Sequence, residues 1–569
     1  MKYISLPRVL LICLVLFLVD DVVAATVTRG PYLQQASDTS IVVRWRTDVV
    51  SSSRVRYGIS AGALSSDKSS VTAVKDHELT LTGLSEGQRY YYDIGSTSTV
   101  LAGDATYTFR TATTANNSTV RVWVLGDAGT KNDDQRAVRD AFYGWNKSVA
   151  TDLVLLLGDN AYSKGTDSEY QAAIFDMYPQ SLRQAVFWST IGNHDTDLDD
   201  DPALTIPYFK IFTNPINAES GGVASGTEKY YSFNHGPIHF VCLDSMTSSR
   251  VKNGAMATWA AADLSANTKP WTVAFWHHPP YSKGSHDSDT STHLREMREN
   301  LLPILEQQGV DLVLSGHSHS YERSYFIDGH YGLSSTFNES HKKQLGNGAS
   351  GSGYNKSNES RGGAVFAVPG SAGKTSGGSL NHPAMVSSLN ELGSFCFEVS
   401  HNRLQAWMIR SDGEVRDTFT ITKSTVAPPP PAAPGVTNGT TSTPTISGTT
   451  TAGATMHIYS DGALIGTVVA NGSGAWTYTV SPPLTPGTHV ITVTTTPIGG
   501  LTSGFSPGTT ITVNDSGGGS SSPTTSSSSG GGLCGMGSGV AGLLLLLSCF
   551  SWLRLHQKDD QKSKSRSVK

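Results

Sequence analysis

The sequence predicts a multidomain protein: an N-terminal β-sandwich, a central α/β sandwich built from βαβαβ units, and a C-terminal β-sandwich. Three observations predict it. Short strands alternating with turns fill Val27–Thr113, buried apolar runs alternate with helix-like segments from Val120, and a proline-rich spacer precedes a second series of short strands. A chain of 569 residues is also too long for one domain.

Residues 1–25 have the composition of a secretory signal peptide. Lys2 and Arg8 precede an apolar run from Val9 to Val19, and small residues follow around Val22–Ala25. The run is short for a membrane span, so an N-terminal anchor is the less favoured alternative. We therefore expect export from the cytoplasm.

Residues 26–115 form the first predicted β-sandwich. Roughly seven short strands in this length favour a fibronectin- or immunoglobulin-like fold. The strands are read from IVVRWRT, SRVRYG, HELTLTGL, RYYYDIGS and TYTFRTA.

Residues 118–423 form the predicted α/β domain. Its apolar runs each end in polar residues, and helix-like pieces lie between several of them, which places function at the carboxyl ends of the strands. These runs are VRVWVLGD, DLVLLLGD, AVFWSTIGNHD, IHFVCLDS, WTVAFWHH and VDLVLSGH.

The C-terminal part begins with a proline-rich linker, residues 424–434, which is predicted to be stiff. Residues 435–514 resemble a bacterial Ig-like domain in their pattern of strands and turns. A Gly/Ser linker, 515–532, and a hydrophobic segment with a basic end, 533–569, follow. The last segment resembles a bacterial sorting signal, with a membrane anchor as the alternative, so we expect attachment to a membrane or the cell surface.

Composition narrows the function further. The formal charge is −5 and no basic patch occurs, so no nucleic-acid binding is expected. Cys242 and Cys396 lie in strand-like segments and form either one disulfide or two buried thiols.

Five polar motifs follow the predicted strands of the central domain, and each carries a hard oxygen ligand or an imidazole. His317 and His319 are one residue apart on a turning backbone, so they point at different places, as two metal ions about 3.5 Å apart require. Carboxylate, carboxamide and imidazole donors together suit iron, manganese or zinc, and Asp159 is the candidate to bridge two ions. The motifs are Gly126–Gly129, Gly158–Tyr162, Gly192–Asp195, His277–Pro279 and Gly316–His319.

This set of motifs resembles the calcineurin-like metallophosphoesterase superfamily, and Tyr162 in GDxxY narrows the resemblance to purple acid phosphatases, over Val27–Lys423. The resemblance implies a binuclear centre with ferric iron and a divalent zinc, manganese or iron ion. One ion would be held by Asp127, Tyr162 and His319, the other by Asn193, His277 and His317, with Asp159 between them. His278 matches no ligand position and is interpreted as a packing residue or a supporting neighbour.

The same resemblance implies two catalytic histidines that face the phosphate, His194 and His286, with His293 as a less favoured substitute for His286. The predicted function is a secreted or surface-attached acid phosphatase that hydrolyses phosphate monoesters. A phosphodiesterase or nucleotidase on the same centre is one alternative, and a surface adhesion protein with a vestigial metal domain is another. The acidic run Asp197–Asp201 is interpreted as a solvated loop, and two Gly/Ser-rich loops, 346–353 and 371–378, are expected to border the pocket.

Overall fold

The structure is a computed structural model, which describes residues 25–147, 149–196, 206–349, 353–356, 361–400, 402–423, 430–496 and 502–514. Residues 1–24 of the predicted signal peptide, the Gly/Ser linker and the C-terminal hydrophobic segment lie outside these ranges. Within them, no helix has the length and apolar composition that crossing a membrane requires.

The N-terminal region is built from strands, as predicted, but two of the expected strands are one. No glycine or proline interrupts residues 41–57, and a single long strand runs through them. Its first half pairs with the preceding strand and its last residues pair with the fourth. The strands are β1 (Val27–Gln34), β2 (Ser40–Gly58), β3 (Ser66–Thr82), β4 (Arg89–Gly95), β5 (Val100–Ala102) and β6 (Thr108–Arg110).

The central region contains the predicted alternation of strands and helices. Its strands are β7 (Thr119–Leu125), β8 (Leu153–Leu156), β9 (Val186–Ser189), β10 (Tyr231–His235), β11 (Ile238–Cys242), β12 (Trp271–Trp276), β13 (Leu312–Ser315), β14 (Tyr321–Ser324), β15 (Tyr354–Lys356), β16 (Val365–Pro369), β17 (Met385–Leu389), β18 (Gly393–Ser400), β19 (Arg403–Arg410) and β20 (Val415–Lys423).

These strands form two sheets. One has the order β15-β20-β19-β18-β7-β8-β9 and continues into the N-terminal strands, and the other has the order β10-β11-β12-β13-β16-β14-β17. Strands β7, β8 and β9 are parallel, as are β11, β12, β13 and β16. Leu155 and Trp188 of the first sheet share one buried core with Phe240, Val273 and Leu314 of the second, so the sheets pack face to face.

Helices lie between the strands of the central region. The longest begins at an N-cap, where the side chain of Asn132 accepts a hydrogen bond from the backbone of Gln135 at 3.0 Å. A helix at Ala255–Ala266 was not predicted, because its apolar residues show no single helical face. The helices are α1 (Asp133–Asn146), α2 (Asp167–Tyr170), α3 (Pro179–Leu182), α4 (Pro207–Ile211), α5 (Ala255–Ala266), α6 (Thr292–Glu296) and α7 (Leu302–Gln307), with π-helical turns at Gln171–Phe175 and Met297–Leu301 and 3₁₀ turns at Ser334–Thr336 and Glu339–His341.

The N-terminal strands are joined to the central sheet. Leu33 of β1 pairs with Val186 of β9, which makes the first sheet continuous across the two regions. Asp167 accepts hydrogen bonds from two arginines of the N-terminal strands, Arg29 at 2.9 Å and Arg46 at 2.6 Å. Because Arg29 is almost fully buried, this ion pair fixes β1 against the central domain.

The C-terminal strands form two further sheets, in the orders β21-β22-β25 and β24-β23-β26-β27. Ile446, Met456, Trp476 and Val493 belong to the buried core of this domain, as an Ig-like sandwich requires. The strands are β21 (Gly435–Thr437), β22 (Thr445–Thr449), β23 (Thr455–Ser460), β24 (Ala463–Val469), β25 (Ala475–Thr479), β26 (Gly487–Thr496) and β27 (Thr509–Val513).

The two cysteines in the described residues do not form a disulfide. Cys242 lies on β11 and Cys396 on β18, in different sheets, and both are buried and free. Burial raises the pKa of both thiols. The alternative of two buried thiols is therefore the correct one.

Candidate metal centre

All seven predicted ligands and both predicted catalytic histidines follow strands of the two facing sheets. Asp127, Asp159, Tyr162, Asn193 and His194 follow β7, β8 and β9 of the first sheet, and His277, His286, His317 and His319 follow β12 and β13 of the second. Because parallel strands end at the same edge of a sheet, these residues meet where the two edges face each other.

The first group of donors consists of Asp127, Tyr162 and His319. The Tyr162 hydroxyl lies 3.2 Å from Asp127 Oδ1 and 3.2 Å from His319 Nε2. The remaining pair, His319 Nε2 and Asp127 Oδ1, is 3.5 Å apart. The three donor atoms therefore converge on one point.

The second group consists of Asn193, His277 and His317. His277 Nε2 lies 3.1 Å from Asn193 Oδ1 and 3.2 Å from His317 Nδ1. His277 Nδ1 is 2.8 Å from the carbonyl of Leu157, which leaves Nε2 directed at the other two donors.

Asp159 lies between the two groups. Its Oδ2 accepts a hydrogen bond from the Tyr162 hydroxyl at 2.9 Å, and its Oδ1 is 3.4 Å from His277 Nε2. One carboxylate oxygen thus faces each group, as a bridging ligand requires. The separations of about 3 Å between donors are those expected around ions with ligands at about 2.0–2.2 Å, so the donor set fits two metal ions.

The backbone is strained at three of these residues. Asp127, Asp159 and His317 have φ of 56°, 52° and 66°, in the left-handed region that non-glycine residues seldom adopt. Such strain costs about 1–3 kcal/mol per residue and is concentrated at functional sites. Glycine is needed beside these ligands because neighbouring segments approach closely. A Cβ on Gly192 would overlap the Asp159 carboxylate, and one on Gly158 would lie 2.6 Å from His277 Nδ1.

Burial shifts the pKa values of several donor side chains. It raises the pKa of the Asp127 carboxyl to about 7, and the charge of Asp159 acts in the same direction. Burial also lowers the pKa of His319 to about 4 and, with His277, holds that of His317 well below its usual value. These shifts favour the neutral imidazole of His317 and His319, which is the form that binds metal.

Asp195 is a functional residue that the sequence did not single out, although it closes the Gly192–Asp195 motif. It is fully buried and accepts four hydrogen bonds, from Asn160 N at 3.0 Å, Asn160 Nδ2 at 2.9 Å, Gly192 N at 2.8 Å and the Tyr170 hydroxyl at 2.6 Å. These bonds tie the loop after β8, which carries Asp159 and Tyr162, to the loop after β9. Asp195 therefore positions ligands without being one.

The two predicted catalytic histidines lie beside the centre. The ring of His194 is 4.7 Å from the Tyr162 ring, and its backbone N–H donates to Asp159 Oδ1 at 2.9 Å. His286 stacks on His317 with ring centroids 3.8 Å apart. The rings thus border the centre from different loops.

The other two histidines of this region pack together. His278 is buried, its Nδ1 lies 2.9 Å from Ser245 Oγ, and its ring is 4.4 Å from that of His317. His293 stacks on His278 at 4.7 Å. Ligand nitrogens of His277, His278 and His317 lie within 4.8 Å of one another, which is close enough for the three to hold an ion.

One of the two Gly/Ser-rich loops borders the centre. In loop 371–378, Ser376 Oγ lies 2.8 Å from His319 Nδ1, and Lys374 Nζ lies 3.8 Å from the centre of the Tyr162 ring. The described part of loop 346–353 bonds instead to Thr420 on β20. The acidic run Asp197–Asp201 lies outside the described residues.

Comparison with known proteins agrees with this arrangement. The calcineurin-like phosphoesterase family matches residues 120–321, the purple acid phosphatase N-terminal domain matches 29–111, and a bacterial Ig-like domain matches 433–516. These matches confirm the predicted resemblance and fold class.

Individual relatives give the same result. Purple acid phosphatase 15 of Arabidopsis thaliana is 31% identical over 278 residues, which cover 44% of this chain and 49% of that protein. Purple acid phosphatase 1 of Ipomoea batatas is 27% identical, with 44% of this chain and 51% of that protein covered. The chain thus spans about half the length of these relatives. The structure of purple acid phosphatase PPD1 from yellow lupin (Lupinus luteus) has a TM-score of 0.53 at 17% identity, covers 70% of this chain and 75% of its own, and shares the fold.

Proposed function

We propose that this chain, whose central domain is a calcineurin-like phosphoesterase domain of the purple acid phosphatase type, is an acid phosphatase that hydrolyses phosphate monoesters. The observation that carries the proposal is the convergence of seven donor residues into two groups that share Asp159. A structural polar cluster has no need of strained backbone at three of its residues, Asp127, Asp159 and His317.

In this proposal Asp127, Tyr162 and His319 would hold ferric iron, and Asn193, His277 and His317 would hold zinc, manganese or ferrous iron. When bound, such a pair of ions neutralises phosphoryl oxygens and lowers the pKa of a bound water. The phenol of Tyr162 is the donor that favours the ferric ion. Asp159, which has one oxygen facing each group, would be the ligand shared by the two ions.

The protein's own groups orient the substrate. His194 lies beside Tyr162, and His286 lies over His317, so their rings flank the space above the centre. This supports a role for both in hydrogen bonding to phosphate oxygens and in delivering a proton to the leaving alkoxide. His277 is held by the Leu157 carbonyl, which keeps its Nε2 in place during the reaction.

We also propose that the enzyme acts outside the cytoplasm, released or attached to the cell surface. The composition of residues 1–25 and 533–569 supports this part of the proposal.

The test is activity of the purified full chain at acidic pH on p-nitrophenyl phosphate and on its bis-ester. A phosphomonoesterase hydrolyses the first with the higher kcat/KM, and Asp159→Asn removes this activity. A higher kcat/KM on the bis-ester would assign a phosphodiesterase to the same centre. No hydrolysis of either ester by metal-loaded protein would exclude both activities and favour an adhesion role.

A further inference from the structure

Lys374 is a cation at the candidate centre with no role assigned so far. Its ammonium lies 3.8 Å from the centre of the Tyr162 ring, and the side chain is half-buried. Within the described ranges, no carboxylate lies within ion-pairing distance of it. After burial, the nearby charge of Lys374 contributes to lowering the pKa of His286 and of His319.

The backbone around Lys374 is fixed to the ligand-bearing segments. Ser376 donates its N–H to the carbonyl of His319 at 3.1 Å and its hydroxyl lies 2.8 Å from His319 Nδ1. On the other side, Ala372 N–H donates to the Gly126 carbonyl at 3.1 Å, and the hydroxyl of Thr130 donates to the Gly373 carbonyl at 3.1 Å. The ammonium is therefore held beside the centre by contacts on both sides of its own residue.

An ammonium beside the centre that has no carboxylate partner among the described residues is suited to bind an anionic substrate. Lysine is a point-charge binder of phosphate, and a charge-assisted hydrogen bond is roughly twice as strong as a neutral one. Above its second pKa of about 6, the phosphoryl group of a monoester carries two negative charges on three free oxygens. A diester carries one negative charge on two free oxygens, because the third oxygen belongs to its second ester group.

We propose that Lys374 is a specificity-determining residue that binds a free phosphoryl oxygen of the substrate and so selects dianionic phosphate monoesters over monoanionic diesters. The inference rests on the proposed function and adds to it the part of the molecule that separates the two substrate classes. The metal ligands would be the same for both classes. An ammonium binds the monoester more strongly, because the monoester has the extra charge and the extra free oxygen.

The test compares Lys374→Gln and Lys374→Arg with the wild-type full chain, loaded with metal. A matched control is Lys342→Gln, because Lys342 Nζ lies 3.9 Å from the centre of the Tyr325 ring, where it makes the same kind of contact in another part of the domain. All measurements are made above about pH 6, where the monoester is mainly dianionic. The measured quantities are kcat/KM on p-nitrophenyl phosphate and on bis(p-nitrophenyl) phosphate, the Kd of inorganic phosphate and the metal content.

We expect Lys374→Gln to lower kcat/KM for the monoester about tenfold or more, as loss of a hydrogen bond to a charged group implies, and to lower that for the diester less than about threefold. The Kd of inorganic phosphate rises by a similar factor of about ten, metal content is unchanged, and Lys374→Arg retains most of the discrimination. Lys342→Gln behaves as wild type.

Equal losses on the two esters, no loss on either, or a loss that merely follows loss of metal would overturn the inference. If the metal-loaded wild type hydrolyses neither ester, the proposed function fails, and the phosphate-binding comparison still decides whether Lys374 binds the anion.

Discussion

The replacement Asp195→Asn tests whether the two ligand loops are positioned by one buried carboxylate. The two carboxylate oxygens accept four hydrogen bonds from Asn160, Gly192 and Tyr170. A carboxamide has only one oxygen, and an NH2 group replaces the other. The two donors that bonded to the replaced oxygen then have no acceptor. Each buried donor without a partner costs about 1–3 kcal/mol, so the two donors on that side give a loss of about 2–6 kcal/mol in the free energy of unfolding.

The consequence for the centre is separate from this loss of stability. Because Asp195 joins the loop of Asp159 to the loop of Asn193, relaxing it moves the bridging ligand relative to the second group of donors. Loss of such a supporting contact lowers metal affinity about 10–100-fold. Urea unfolding of the metal-free protein and titration of the metal with a competing chelator measure the two effects independently.

Asp263 offers a matched control. It is buried, accepts hydrogen bonds from Val223 N–H, the Ser232 hydroxyl and the His239 ring, and contacts no predicted ligand. Asp263→Asn is therefore expected to lower stability by a similar amount while metal affinity stays at the wild-type value. The reasoning is refuted if Asp195→Asn is as stable as wild type within about 0.5 kcal/mol, or if both variants lose metal to the same extent.

Three further predictions concern other groups. Tyr162→Phe removes the phenolate donor, so the visible absorption band of the iron-loaded protein disappears while the far-ultraviolet circular dichroism is retained; a band that survives would show that Tyr162 is not a ligand. Burial and the charge of Asp328 raise the pKa of Glu306 to about 8. Since the folded carboxyl keeps its proton where the unfolded one has lost it, its contribution to stability is full below pH about 4.5 and is lost as the pH rises towards 8. Glu306→Gln removes a few kcal/mol of this dependence, measured as the difference in unfolding free energy between pH 5 and pH 8; an unchanged difference would contradict the assignment. Asp167→Ala leaves the buried Arg29 without its carboxylate partner and lowers the free energy of unfolding by about 1–2 kcal/mol. The loss is no larger because solvent screens the ion pair at Asp167, which is half exposed. An unchanged urea midpoint would show that the pair contributes nothing.

The sequence predicted the parts of the molecule in which chemistry follows directly from local pattern. The ligands at Asp127, Asp159 and His317 each come directly after an apolar run, and the rule that parallel strands end at a common edge was enough to expect that they meet. The order and types of domains followed from strand and turn patterns in the same way. The family resemblance added the division of the donors into two groups.

Three features could not be predicted from the sequence, because each depends on contacts between distant segments. Lys374 lies more than 200 residues from Tyr162, in a Gly/Ser-rich loop whose composition predicts only flexibility, and its position depends on hydrogen bonds to His319 and Gly126. Asp195 looks like any turn residue until its four donors are known. The continuity of β1 with β9 likewise depends on a pairing that no local pattern encodes.

The central claim is that Asp159 joins two ion sites. The most direct measurement is an anomalous-scattering map of crystals of the metal-loaded protein. We expect two peaks about 3.5 Å apart, one on either side of the Asp159 carboxylate. A single peak, or peaks that do not share Asp159, would contradict it.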